Sequence, residues 1–190
     1  MTSTGAPDFR AVMVRSERLM LRSFVPADAP DIFAHTLPAM GRYIGWHRSP
    51  SPDSFEHVWR AWMVDLAEGR ELTLVARLDD TLEFVGITGL AFKNATPSNR
   101  GEPEVGVWIK DAVRGQGFGA EAISAVVGWG CCELGLEGVF FSVVEVKEPS
   151  RRIAEDLGGV WSAVACSGSR AAGPVPWSST GSRSHRAVLP

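Results

Sequence analysis

The chain has 190 residues, 45% of them hydrophobic, enough for one domain with its own core or one domain and a tail. A net charge of −3 without a basic block argues against a nucleic-acid partner, and no apolar run approaches the ~18 residues of a membrane span. Three cysteines, two of them adjacent (Cys131, Cys132), make no disulfide framework and no metal-ligand spacing with histidine; with no apolar signal core at the start, the expectation is a cytoplasmic protein that holds no metal.

Residues 1–10 are small and polar and are expected to be a loose start. Leu19 to Phe24 alternates apolar and charged residues and predicts the first strand. Asp28 then caps a helix, with Pro30 and Asp31 in its first turn and Ile32, Phe33 and Leu37 along it, ending near Pro38. Tyr43-Ile44-Gly45-Trp46-His47 lies between helices; its aromatic rings either line a pocket or plug the core. Ser51-Pro52-Asp53 opens a second helix, in which Phe55, Val58, Trp59, Trp62, Met63 and Leu66 share one face and Gly69 marks the end. The two tryptophans there read as core.

From Glu71 the period changes to two. Leu72, Leu74 and Ala76 form a second strand, Asp79-Asp80-Thr81 a turn, and Phe84 to Leu90 a third strand. After a polar loop, Val105, Val107 and Ile109 alternate with Glu104, Gly106 and Trp108 as a fourth. Short connections make strands two to four antiparallel. A helix follows from about Ala120 to Leu134, closed by Gly135; then a fifth, wholly apolar strand, Val139 to Val144, suited to burial on both faces. Pro149-Ser150 starts a short helix to Leu157, and Val160 to Val164 is a further strand. Residues 1–165 are thus expected to form the domain. Residues 166–190 turn rich in Ser, Gly, Pro and Arg and read as a loop or a disordered tail, in which His185 to Leu189 could form a last short strand.

The connection between the fourth strand and its helix is Arg114-Gly115-Gln116-Gly117-Phe118-Gly119-Ala120. Two readings are open for it. Glycine tolerates positive φ, so the stretch could be only a tight turn. Equally, bare backbone running into a helix start offers N–H groups and the positive end of a dipole to a phosphate.

Four stretches in order then resemble one family. They are Ser16-Glu17-Arg18-Leu19-Met20-Leu21-Arg22, Tyr43-Ile44-Gly45-Trp46, Glu104-Val105-Gly106-Val107-Trp108-Ile109 with Arg114 to Gly119, and Ser150 to Gly158. Together they look like the GCN5-related N-acetyltransferases (GNAT), in the branch of the ribosomal-protein N-terminal acetyltransferases, over about Arg18 to Trp161. The resemblance implies an α+β fold: a mixed, mostly antiparallel central sheet, splayed between strands 4 and 5, with helices on both faces. It also implies an acetyl-coenzyme A cosubstrate wedged into the splay. The pyrophosphate would sit on N–H groups of Gly115, Gln116, Gly117, Phe118, Gly119 and Ala120, with Arg114 adding charge. The pantetheine arm would pair with backbone of Val107, Trp108 and Ile109, where one N–H could stabilise an oxyanion. The family usually has asparagine three residues before the serine; this chain has Lys147.

The implied reaction is direct attack of an amine on the acetyl thioester through a tetrahedral intermediate. Glu104 is the candidate base, or else a solvated strand-end carboxylate. Ser150 is the candidate acid toward the leaving thiolate, or else a helix cap; Tyr43 is the alternative acid. Tyr43 and Trp46 are the candidate substrate-binding residues. No cysteine stands where an acyl-enzyme would form. A protein α-amine, with pKa ~8 against ~10.4 for lysine, is more often neutral at pH 7 and suits a site with a single carboxylate base, so a protein N-terminus is favoured over small-molecule amines. The expected protein is a monomer or homodimer. Two other readings are weighed: a non-catalytic coenzyme A-binding protein of the same fold, and a dinucleotide oxidoreductase using Gly115 to Ala120 as Gly-x-Gly-x-x-Ala. Lys110, Asp111 and Arg114 between strand and glycines, and the antiparallel strands before them, oppose the last.

Overall fold

The computed structural model describes residues 7–35, 51–92, 103–143 and 185–189, with Phe140–Val143 and His185–Leu189 described as backbone. Seven strands form one sheet in sequence order: β1 (Met13–Arg15), β2 (Leu19–Ser23), β3 (Glu71–Leu78), β4 (Phe84–Ala91), β5 (Glu104–Ile109), β6 (Val139–Val143) and β7 (His185–Leu189). The helices among the described residues are α1 (Ala29–His35), α2 (Pro52–Ala67) and α3 (Phe118–Leu134), with single 3-10 turns at Pro26–Asp28 and Asp111–Val113. Strands β1 to β5 are all antiparallel to their neighbours. Strand β6 is parallel to β5, so a crossover must join them, and α3 is that crossover. Strand β7 returns antiparallel to β6. Here the short strand placed at His185 to Leu189 forms.

Local chemistry accounts for the ends of α2. The Ser51 hydroxyl accepts the Ser54 N–H at 3.2 Å, Pro52 occupies the first turn, and Gly69 follows at φ +69°. Trp62 and Leu66 are buried on its inner face. Trp62 meets Phe24 edge-on at 5.2 Å and Phe55 at 5.7 Å. Both tryptophans of α2 pack in the core, as the helical spacing predicts. α1 lies on the same side, where His35 meets Phe84 at 5.6 Å. α3 covers the opposite face, with Gly130 set against Leu90 and Leu136. With helices on both sides, β3 is buried from Leu72 through Ala76, so its period-two pattern does not separate a wet face from a dry one.

Three expectations need correction. The first strand is preceded by another: β1 pairs with β2 from Met13↔Arg22 to Arg15↔Met20, so the predicted strands one to five are β2 to β6. The start of the chain is anchored as well. Phe9 is 1% exposed, stacks on Phe92 at 5.5 Å, meets Trp129 at 6.2 Å, and donates its N–H to the Leu66 carbonyl. A single aromatic among small residues has no periodicity to announce it.

The third correction concerns Asp28. It does not cap α1; it closes the preceding 3-10 turn by accepting the Val25 N–H at 3.1 Å. Its buried carboxylate also accepts from Arg22 at 2.6 and 2.7 Å and from Arg77 at 3.0 Å, and Arg77 reaches Asp31 at 2.7 Å. Burial pushes the Asp28 carboxyl up, but Arg22, the Val25 N–H and Arg77 outweigh it and hold it below the ordinary aspartate value. A depressed carboxyl contributes stability that is present above its unfolded pKa of ~3.9 and is lost as pH falls through the folded value. Denaturant unfolding of Asp28→Asn at pH 7 should therefore show a loss of about 3 kcal/mol, because two arginines are left facing an amide. The acid-side fall in stability below about pH 4 should be shallower in the variant than in the parent.

Candidate active site

Strands β5 and β6 pair at only two positions, Glu104↔Phe140 and Val105↔Phe141. Both strands continue, β5 to Ile109 and β6 to Val143, without further pairing between them. On its other side β5 stays paired with β4 through Ile109. The sheet is thus split from Gly106 onward, and one edge of Val107, Trp108 and Ile109 faces the split. Backbone groups on such an edge need a partner.

The glycine turn stands just beyond the end of β5, after the 3-10 turn. Gly115 has φ +78° and Gly117 φ +84°, a region where a side chain is strained. Gly117 is the N-cap of α3, so no side chain caps this helix. α2 of the same chain shows the contrast, since Ser51 occupies its first N–H groups. The first backbone bond of α3 runs from the Glu121 N–H to the Gly117 carbonyl at 3.1 Å. The N–H groups of Phe118, Gly119 and Ala120 precede that bond and begin the helix without an intrahelical acceptor. Gly119 lies inside the first helical turn and is buried, so two of the three glycines shape the turn and the third belongs to the helix.

The side chains around this frame differ from expectation in three places. Trp108 does not alternate outward with Glu104 and Gly106; it is buried, 6.0 Å from the Phe84 ring, which also meets His35 of α1. Its indole Nε1–H finds no acceptor among the described residues. Arg114 is half-exposed and already engaged: it pairs with Asp111 at 2.6 Å and donates Nε–H to the Ile109 carbonyl at 3.0 Å. Val107 and Ile109 are half-buried, and their side chains pack against the core. Lys110, read from sequence as a charge after the strand, is buried and paired with Glu83. Glu104 sits half-buried at the closed end of the split, opposite Ala91 and Phe140. Tyr43, Trp46, Lys147 and Ser150 lie outside the described residues.

One group at the site has no predicted counterpart. Arg18, in the turn between β1 and β2, donates to the Gln116 carbonyl at 3.1 Å and stands over the Phe118 ring at 4.4 Å. It also holds the Glu121 carboxylate of α3 at 2.6 Å. The available signal was a charge conflict, since a glutamate one turn into a helix meant for an anion needs a cation nearby. No group of three or more metal-capable side chains occurs among the described residues, and no helix among them is long and apolar enough to cross a membrane.

A mixed sheet split between two parallel strands, with an uncapped glycine-rich helix start at its mouth, is the acetyltransferase architecture. The acetyltransferase (GNAT) domain matches residues 18–160, and the chain belongs to that family as an N-acetyltransferase. A Bacillus subtilis (strain 168) relative, the uncharacterized N-acetyltransferase YoaA, is 27% identical over 147 residues, 77% of this chain and 81% of that protein. A crystal structure of an acetyltransferase from Agrobacterium tumefaciens superposes with a TM-score of 0.62 at 25% identity, covering 82% of this chain and 88% of that one. Mycobacterium smegmatis RimJ in complex with CoA-disulfide gives 0.64 at 18% identity, covering 80% and 77%.

The uncapped turn makes a test by stability alone. Gly117→Ala should cost about 1–2 kcal/mol in denaturant unfolding, because the new Cβ must sit at φ +84°. Gly128→Ala, in the middle of α3 with open space around its Cβ position, should instead stabilise by about 0.5–1 kcal/mol.

Proposed function

We propose that this chain transfers an acetyl group from acetyl-coenzyme A directly to a primary amine, with a protein N-terminal α-amine as the acceptor. The observation that carries the reading is the split edge of β5 ending beside the uncapped start of α3. An extended pantetheine arm fits an unpaired strand edge, and a pyrophosphate fits uncapped helical N–H groups. The buried Nε1–H of Trp108, without an acceptor among the described residues, supports a ligand that brings one. Acetyl-coenzyme A supplies the activated acetyl thioester.

The chain's own residues take the remaining roles. The edge of Val107 to Ile109 orients the thioester, and an N–H there donates to the developing oxyanion. Gly115, Gln116, Gly117, Phe118, Gly119 and Ala120 bind the pyrophosphate, and Arg114 adds charge by sharing its guanidinium with Asp111. Glu104, at the closed end of the split, takes the amine proton directly or through water. Ser150 donates to the leaving thiolate, and Tyr43 with Trp46 lines the acceptor side. Catalysis is then mainly positioning with one proton relay.

Isothermal titration with acetyl-coenzyme A should give micromolar binding that Gly119→Glu abolishes, since it adds a negative charge to the first turn of α3. Glu104→Gln should keep that affinity and lower kcat about a hundredfold. Unchanged kcat in Glu104→Gln would leave a coenzyme A-binding protein whose base lies elsewhere or that does not catalyse. Thiol release with N-terminal peptides, set against small polyamines and amino sugars, checks the acceptor; turnover on the small amines alone would overturn the α-amine assignment.

A further inference from the structure

Glu121 poses a problem for the helix that carries it. A carboxylate in the first turn of α3 stabilises the helix through its dipole, yet it stands beside the N–H groups on which an anion must settle. The fold deals with it from the β1–β2 turn. The Ser16 hydroxyl and the Arg18 N–H bond one carboxylate oxygen at 2.7 and 2.8 Å. The Arg18 guanidinium takes the other through Nε at 2.7 Å and Nη2 at 2.6 Å. Burial pushes the Glu121 carboxyl up; the Ser16 and Arg18 donors more than offset this and hold it below its usual range, so it stays charged.

The same guanidinium reaches the turn itself. Arg18 Nη1–H donates to the Gln116 carbonyl at 3.1 Å. In a trans peptide the C=O and the following N–H point in opposite directions, so drawing the Gln116 oxygen toward Arg18 turns the Gly117 N–H away from it. The Phe118 ring lies under the guanidinium, which fixes the next residue as well. The turn is tied further back, since Arg18 also accepts the Asp79 N–H at 2.9 Å through its carbonyl.

We propose that Arg18 and Glu121 are positioning residues for the cofactor: together they aim the N–H groups of the glycine turn, and Arg18 cancels the Glu121 charge that would repel a pyrophosphate. Arg18 acts through the backbone of Gln116 and Gly117, on the side away from the ligand. The proposal rests on the reading of this turn as the coenzyme A site. It assigns a role to the Arg18 stretch that neither the turn nor the split edge requires.

Because two effects are combined, the variants fall in an order. Arg18→Met leaves Glu121 charged beside the site without its cation, held only by the Ser16 hydroxyl and the backbone N–H of residue 18, and frees the Gln116 carbonyl. Its dissociation constant for coenzyme A should rise about tenfold or more, and part of that loss should disappear in 0.5 M salt. Glu121→Gln loosens the brace but removes the repelling charge, so its loss should be smaller. The double variant should fall between the two single variants, because it removes the repelling charge but also frees the Gln116 carbonyl that Glu121→Gln leaves bonded. Arg18→Lys keeps the charge without the fork that spans Gln116 and Glu121, and should fall between Arg18→Met and the parent. With acetyl-coenzyme A at saturation, kcat should stay within about twofold in all four, so that the whole effect lies in KM for that substrate.

The measurement is isothermal titration of the full chain with coenzyme A at low and high salt, with thermal unfolding as a control. Amide exchange across Gly115 to Ala120 in the ligand-free protein adds a readout that needs no cofactor; Arg18→Met should speed it. Equal losses in Arg18→Met and Glu121→Gln without salt dependence would reduce the pair to a fold brace and sink the proposal. So would affinities within twofold of the parent while the parent binds well. Failure of the parent to bind coenzyme A at all would overturn the cofactor reading and this one with it. If Arg18→Met does not fold, Arg18→Lys decides: a coenzyme A affinity below the parent's with faster amide exchange across Gly115 to Ala120 upholds the proposal, and parent-like affinity and exchange overturn it.

Discussion

The structure turns on a shortage of backbone partners along one strand. β5 is fully paired to β4 but shares only Glu104 and Val105 with β6. A sheet interior does not normally leave N–H and C=O groups unsatisfied, because each buried and unpaired group costs about 1–3 kcal/mol. The divergence is therefore stable only where water or a ligand can reach the open edge. Everything near it serves that opening. α3 carries the chain across to β6 without closing the gap, and the glycine turn keeps side chains away from its mouth.

The contrast between α2 and α3 shows how the sequence separates structure from function. Both helices pack an apolar face on the sheet. α2 spends a serine on its first N–H groups; α3 begins at a glycine that leaves them bare. Giving up a cap weakens a helix by about 1 kcal/mol. α3 recovers some of this through Glu121, whose charge lies near the positive end of its dipole. That choice in turn requires Arg18, which is why the β1–β2 turn and the start of α3 are joined by so many hydrogen bonds.

Much of this was legible in the chain. Ser51 and Gly69 mark the ends of α2, the change to period two marks β3, and Gly115 and Gly117 take the positive φ that their spacing suggests. The splay between the predicted fourth and fifth strands came from the family resemblance, and the pairing of β5 with β6 shows it. Other features had no local signal. Phe9 and β1 depend on contacts made far along the chain. Trp108 is buried against Phe84 on a face that alternation alone would give to solvent. Asp28 had a good reason to be a cap, and lost that role to two arginines brought in by tertiary contact. Arg18 stood in a family-like stretch, but its partner Glu121 is about a hundred residues away, beyond the reach of any pattern rule.

The pairing of β6 with β7 carries a kinetic meaning. Strands β1 to β5 form an antiparallel meander, although α1 and α2 intervene between β2 and β3. β6 touches that meander at two residues only, and its longer ladder is with β7, five positions from Val139↔Leu189 to Val143↔His185. Val143 and His185 lie far apart in sequence, so the ladder that holds the second wall of the split is a long-range contact. Assembly should then proceed with the meander early and the β6–β7 ladder late. The crevice would be the last part of the molecule to take shape, and the first to open under denaturant.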